Sequence, residues 1–383
     1  MASPRQFDVI ILGGGIAGAA VGANLAANDR VAVVEREADL GYHTTGRSAA
    51  MFIPSYGGPA VAGLTVGSRD FFTRPPSGFG GALLRPRPVM HIATAGQTRR
   101  LEAFEAAQRL GGAARLSGIL SGRAARAKIP VLRRDGVATA LIESGTGDLD
   151  VALLHAGFLR QITEAGGVIL RGAGEVAIAA SRSAWRVQSG AVDIAAPILV
   201  NATGAWADET AQRAGVPPLD LTPLRRTVIL AAAPRERGFD LWPVVKDIDE
   251  RFYFRPYGGR LLITPCDETP SPPCDAAPAE LDVAIGVERF TAAADHPLNR
   301  LIGRWAGLRT FAPDRAPVVG WSKNHPGFFW LAGLGGFGIQ TAPAMGRLAA
   351  SLIKGRPVPH ELIDRGVRYQ DFAPGRLKQA RAI

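Results

Sequence analysis

Residues 7–35 constrain this chain more than any other stretch. Phe7-Asp8-Val9-Ile10-Ile11-Leu12 is a short run rich in β-branched residues, as in a strand buried on both faces of a parallel sheet. Gly13-Gly14-Gly15-Ile16-Ala17-Gly18 follows at once. A helical stretch of small residues then runs from Ala19 to Ala27, and a second strand, Val31-Ala32-Val33-Val34, ends in Glu35. Strand, G-x-G-x-x-G, helix, strand and acid in this order describe a dinucleotide-binding unit. Gly13 permits the tight turn, Gly15 lets backbone approach a pyrophosphate, and Gly18 lets the helix pack on the strand. The helix N-terminus at Ile16 and Ala17 offers N–H groups and partial positive charge to phosphates. Glu35 is placed to accept hydrogen bonds from a ribose, which argues against a 2′-phosphate despite the neighbouring Arg36. The unit alone does not separate NAD from FAD.

The rest of the chain does. Gly41-Tyr42-His43-Thr44-Thr45-Gly46-Arg47-Ser48-Ala49-Ala50 is too rich in small residues and hydroxyls for a core strand, and suits a loop along an extended cofactor. A strand at Ile198-Leu199-Val200 ends in Asn201-Ala202-Thr203-Gly204-Ala205-Trp206, where small residues let the strand end approach a ligand. A third unit closes the chain. The strand Gly327–Gly333 leads through Leu334-Gly335-Gly336-Phe337-Gly338-Ile339-Gln340 to a helix expected over 343–353. A nicotinamide enzyme has no need for a second glycine loop and helix N-terminus. A flavin has two ends to hold, and a helix N-terminus aimed at its ring favours negative charge there.

With 383 residues, 47% hydrophobic and 20% charged, the chain is long enough for two domains and outside the range of disordered or fibrous proteins. The net charge of +10 raises nucleic acid or an anionic surface as partners. The arginines are scattered, however, and no basic run of five to eight residues appears, so no nucleic-acid partner is expected. Cys266 and Cys274 lack metal-ligand spacing and read as free surface thiols; no metal site is expected. No stretch approaches the ~18 apolar residues of a membrane span. The expectation is a soluble protein of a reducing cytoplasm, with peripheral association at an inner membrane left open.

Together the glycine-rich start, the 44–50 segment, Ala202-Thr203-Gly204 and Gly335-Gly336-Phe337-Gly338-Ile339-Gln340 resemble the D-amino-acid oxidase superfamily of flavoproteins. Stretches such as Arg85-Pro86-Arg87-Pro88 and Trp305-Ala306-Gly307-Leu308-Arg309 are most similar to bacterial D-arginine dehydrogenases. The resemblance implies an α/β, two-domain fold: a discontinuous, doubly wound FAD domain (1–57, 145–210, 306–383) with an inserted antiparallel-sheet substrate domain (58–144, 211–305). FAD would be non-covalent, with His43 left open as an attachment point. The resemblance carries onto the cofactor the glycine loop, Glu35, Arg36, Thr44, Thr45, Gly46, Arg47, Ser48, Ala49, Val176, Ala202, Gly204, Trp206, Gly307, Arg309, Gly335, Gly336, Gly338, Ile339 and Gln340.

The implied reaction is oxidative deamination of a D-amino acid. A hydride passes from Cα to flavin N5, the imine hydrolyses to a keto acid and ammonia, and a quinone, oxygen or another acceptor takes the electrons. Arg226 and Arg309 would clamp the substrate carboxylate, since planar guanidinium meets it bidentately. Tyr253 would bind the same carboxylate, Tyr56 would sit on a loop over the substrate, and Gln340 at the flavin edge. The side-chain pocket departs from those relatives: Met51 replaces a histidine, Ile53 a threonine, and Val89 the glutamate that holds a basic side chain. With Val244, these residues predict a pocket for neutral or apolar side chains, and poor activity on D-arginine and D-lysine. Lys246 disturbs that reading, since its ammonium offers a partner to an acidic substrate side chain; the favoured expectation is a solvated lysine with Asp247 or Asp249 as partner. A dehydrogenase of a 2-hydroxy acid or of glycerol 3-phosphate is the alternative on the same fold.

Overall fold

The computed structural model describes residues 3–190, 192–298 and 300–379. Two large sheets organise it. The first has six strands in the order Val168–Leu170, Val31–Val34, Val9–Leu12, Ile198–Asn201, Phe328–Ala332, Val318–Trp321. The first five run parallel, and the last is antiparallel to its neighbour. The strands Val9–Leu12 and Val31–Val34 are buried throughout, as continuous apolar runs require. Helices Ile16–Leu25, Val151–Glu164 and Gly338–Ile353 cover one face. The meander Ala177–Ala180, Trp185–Ser189, Val192–Ala196, with Arg5–Gln6 at its edge, covers the other.

The helix expected over 343–353 begins earlier than its sequence suggests. It spans Gly338–Ile353 with Pro343 inside it, rather than starting at Pro343. Thr341 N–H already donates to the Phe337 carbonyl at 3.1 Å, so the turn is helical before the proline is reached.

The second sheet has ten strands, eight of them on its main path, of which Thr222–Ala232, Arg260–Thr264, Tyr253–Tyr257, Val244–Asp247, Val89–Ala93 and Thr139–Ser144 form the middle. Leu301–Phe311 adds to it by pairing along the whole of Thr222–Ala232. The pairing is antiparallel except between Val244–Asp247 and Val89–Ala93, which run parallel. Period-two alternation splits its residues between two faces. One face, with Met90, Ile92, Val245, Phe254 and Ile263, packs against helix Glu280–Ala293 as a core. The opposite face carries the polar residues described next. Among the described residues, no helix is long and apolar enough to cross a membrane.

Candidate active site

Where the strand ends of the first sheet meet the polar face of the second, a long cleft opens. It encloses about 1720 Å³ counted out to its mouth. One end is built from backbone. Gly13 has φ +102°, and a Cβ there would stand 2.4 Å from the Ala202 carbonyl oxygen, so the first glycine loop and the Ala202–Gly204 strand end touch. The Gly14 N–H donates to Glu35 Oε2 at 2.8 Å, and the Glu37 N–H to Glu35 Oε1 at 3.0 Å, which fixes the carboxylate at the wall. Ile16 N–H donates to Thr45 Oγ1 at 3.0 Å, tying the 41–50 loop to the helix start. The next first-turn N–H groups have no intrahelical acceptor. His155, on helix Val151–Glu164, is hydrogen-bonded through Nε2 to the Gly14 carbonyl at 2.8 Å and braces this loop from behind.

The 41–50 loop crosses to the second sheet. Thr44 Oγ1 donates to the Leu308 carbonyl at 2.7 Å, and Trp305 Nε1 donates to the Arg47 carbonyl at 2.9 Å. Arg47 is spent on this bridge: it pairs with Asp275 and donates to the Ala276 carbonyl at 2.9 Å. His43 is hydrogen-bonded to Glu37 at 3.0 Å and leans on Trp206, with Arg36 over the same indole. Its buried Nδ1 has no partner among the described residues.

The other end is built from side chains brought together by register. Arg226 lies directly opposite Gly307, and Leu224 opposite Arg309. Arg226 and Arg309 are therefore diagonal neighbours on one sheet face, with Cα atoms roughly 7–8 Å apart by strand geometry. The same parity carries Tyr253 opposite Lys246, Val244 opposite Val89, and Val89 opposite Glu143 onto this face. Met51, Ile53, Val89 and Val244 form one apolar cluster with Tyr56 and Tyr253 against it. Tyr56 reaches over this cluster: its hydroxyl accepts a hydrogen bond from Arg309 Nη1 at 3.0 Å. A Cβ on Gly336 would stand 2.8 Å from both Arg309 Nη1 and the Tyr56 oxygen, so the C-terminal glycine loop abuts this pair.

The two arginines differ electrostatically. Arg226 donates to the Asp267 carbonyl at 2.9 Å and lies 3.3 Å from Glu268. Arg309 has no ion pair among the described residues. Burial pushes the Tyr253 hydroxyl up, against the pull of Arg309 and Arg255, so it stays protonated and able to donate. A positive, donor-rich recess of this kind suits a small carboxylate.

Most residues expected at the cofactor line the cleft, from Gly13, Gly15, Ile16 and Ala17 through Glu35, Arg36, Thr44, Thr45, Ser48, Ala49, Val176, Ala202, Gly204 and Trp206 to Gly307, Gly335, Gly338 and Ile339. Three do not. Gly18 and Gly46 shape backbone behind the wall. Gln340 is buried on the first turn of its helix, where its amide is consumed by the Ile53 N–H at 3.1 Å, the Tyr56 carbonyl at 3.3 Å and Thr65 Oγ1 at 3.0 Å. It holds the 53–56 loop rather than reaching the cleft.

Lys246 is also placed differently from its expectation. It is buried, pairs with Glu250 rather than Asp247 or Asp249, and sits 4.9 Å over the Tyr56 ring. Burial opposes its charge, but Glu250 outweighs that and holds the ammonium above its ordinary value. Cys266 and Cys274 are both free and only partly exposed. Cys266 is half-buried beside the recess, and burial pushes its thiol up against the pull of Arg226, Lys246 and Arg309. Glu250, Glu143 and His155 have no motif in the sequence. For Glu143 a signal exists, since Thr-Ala-Leu-Ile-Glu-Ser alternates and places an acid on an inward face.

First-turn N–H groups without an intrahelical acceptor, a fixed acid at a strand end, a buried imidazole nitrogen with no partner among the described residues and a second glycine loop beside a positive, donor-rich recess fit a flavin dinucleotide. This is the class the fold and site define, a flavin-dependent oxidoreductase. A family model described as DAO: FAD dependent oxidoreductase matches residues 8–352, and the chain belongs to that family.

Glycine oxidase of Pseudomonas putida is 25% identical over 362 residues, covering 91% of this chain and 94% of that protein. The bovine FAD-dependent oxidoreductase domain-containing protein 1 is 28% identical over 172 residues, which cover 41% of this chain and only 35% of that protein's length. Two solved structures share the fold. L-proline dehydrogenase from P. horikoshii has a TM-score of 0.84 at 21% identity, covering 98% of this chain and 99% of that one. Glycine oxidase from Geobacillus kaustophilus has a TM-score of 0.80 at 24% identity, covering 92% and 95%. These relatives support the family and do not single out D-arginine dehydrogenase.

Proposed function

We propose that this enzyme oxidatively deaminates D-amino acids with neutral or apolar side chains, using non-covalently bound FAD. The observation that carries this reading is the diagonal pair Arg226 and Arg309, joined by the hydroxyls of Tyr253 and Tyr56, beside the Gly335–Gly338 loop. The first glycine loop, Glu35 and the 44–49 segment would hold the dinucleotide end, and Gly335, Gly336, Gly338 and Ile339 the ring end. Bound FAD supplies the hydride acceptor. The chain's own part is orientation. Arg309 holds the carboxylate, with Arg226 sharing its charge between substrate and Glu268. Tyr56 closes over the bound molecule, and the side chain enters the Met51, Ile53, Val89 and Val244 cluster.

Substrate Cα loses a hydride and the nitrogen a proton, and water then converts the imine to a 2-keto acid and ammonia. A basic side chain would meet apolar walls and the Lys246 ammonium, which disfavours D-arginine and D-lysine. The resemblance of the 41–50 and 305–309 segments to D-amino-acid dehydrogenases supports the D configuration. A discontinuous FAD domain with the 58–144 and 211–305 segments forming the substrate domain belongs to the same proposal.

Anaerobic bleaching of the flavin by a panel of D- and L-amino acids and 2-hydroxy acids tests the reading. D-leucine or a similar neutral D-amino acid is expected to bleach fastest. Faster bleaching by D-arginine, an L-amino acid or a 2-hydroxy acid overturns it.

A further inference from the structure

Glu143 is fully buried and belongs to none of the roles above. It accepts three hydrogen bonds, from Ser55 Oγ at 2.5 Å, from the Ser55 N–H at 3.2 Å, and from His91 Nε2 at 3.1 Å. Burial lowers the His91 pKa and keeps the ring neutral, so one ring nitrogen donates. A buried carboxylate is costly unless donors surround it, and two of these three come from a single loop residue. That residue directly precedes Tyr56. The chain on either side is held by Gln340, through the Ile53 N–H and the Tyr56 carbonyl. The loop between strand Met51–Phe52 and helix Pro59–Thr73 is thus gripped by the substrate sheet at Ser55 and by the C-terminal helix at Ile53 and Tyr56.

We infer that Glu143 is a positioning residue, which fixes the Tyr56 hydroxyl against Arg309 by anchoring Ser55. This rests on the clamp reading of Tyr56 and Arg309. The loop has no regular structure of its own, and its free rotation is opposed by these side-chain acceptors. Loosening the Ser55 anchor would reduce the fraction of enzyme with Tyr56 in place, and apparent affinity for a carboxylate falls in proportion to that fraction. The hydride donor would still find the ring once bound, so the loss belongs to KM rather than kcat.

The experiment is a double-mutant cycle between Ser55→Ala and Tyr56→Ala in the FAD-loaded enzyme. The readouts are the Kd of isocaproate, D-leucine without its amine, followed by the flavin absorbance change, and KM against kcat for D-leucine. Ser55→Ala removes one hydroxyl from a part-buried site and leaves the fold intact. It is expected to weaken isocaproate and raise KM about fivefold, with kcat within about twofold, as for loss of a hydrogen bond to a charged group. In the Tyr56→Ala background the same change is expected to do nothing measurable. Equal losses in both backgrounds, or none in either, overturn the inference. If Tyr56→Ala alone leaves isocaproate binding unchanged, it is the clamp reading that fails, and the positioning role with it.

Discussion

The two ends of the cleft are made in opposite ways. The dinucleotide end is backbone: glycine turns, strand ends and a helix start, with Glu35 held by two N–H groups. The proposed substrate end is side chain: Arg226, Arg309, Tyr253, Lys246 and Tyr56 converge from separate strands and a loop, and most of its charges are paired. The first end is therefore sensitive to bulk and tolerant of charge. The second is sensitive to charge and tolerant of modest changes in bulk. Each prediction below breaks or sharpens that contrast.

The largest effect is expected at Gly18. A Cβ there would stand 1.9 Å from the Gly13 carbonyl oxygen. Gly18→Val should yield protein without flavin or no folded protein, read by the flavin absorbance of the purified material. Retained flavin would mean that the backbone end gives way more easily than its contacts require.

Next comes Arg309. It has no ion pair among the described residues, and Arg309→Leu should lower kcat/KM for D-leucine roughly a thousandfold with flavin content unchanged. Arg226→Leu should cost less, about tenfold to a hundredfold, because Glu268 already shares its charge. Reversal of that order would show that pairing in the free enzyme does not rank the two.

Tyr253→Phe removes a donor hydroxyl while keeping the ring in the apolar cluster, and about a tenfold rise in KM is expected. The smallest effect is on stability against pH. His91 and His155 are both lowered from 6.5, chiefly by burial, so the folded protein keeps them neutral where the unfolded chain takes up protons. Stability contributed this way is full above pH ~6.5 and is lost as pH falls below it. Melting temperature should drop as pH falls below about 6.5, and His91→Gln should flatten part of that slope; an unchanged slope would remove His91 from the account.

The backbone end was legible because it is local. Phe7 to Glu35 holds strand, turn, helix and acid within one stretch, and Val31–Val34 is a strand with the bounds its composition suggests. The proposed substrate residues were named by resemblance, yet their arrangement was not. Nothing in the sequence says that Leu224 faces Arg309, a pairing made only when two strands some eighty positions apart align. Lys246 found its partner through the turn at Glu250, whose φ of 57° folds the chain back on the strand end. Gln340, which the resemblance puts at the flavin edge, lies on a buried first turn of a helix that begins at Gly338, ahead of Pro343. Ser55 and Glu143 meet across 88 positions and carry no motif at all.

The diagonal placement of Arg226 and Arg309 on paired strands has a consequence for how such a site can change over generations. Spacing set by a strand ladder moves in whole residues, and a slip of one turns an arginine to the opposite face of the sheet. The distance between the two guanidinium stems is thus a fixed unit that cannot be adjusted by degrees. On the proposed reading, variation in what the enzyme accepts must come from elsewhere on that face, at Val89, Val244 and Lys246, where a single codon alters the pocket and leaves the proposed carboxylate grip intact.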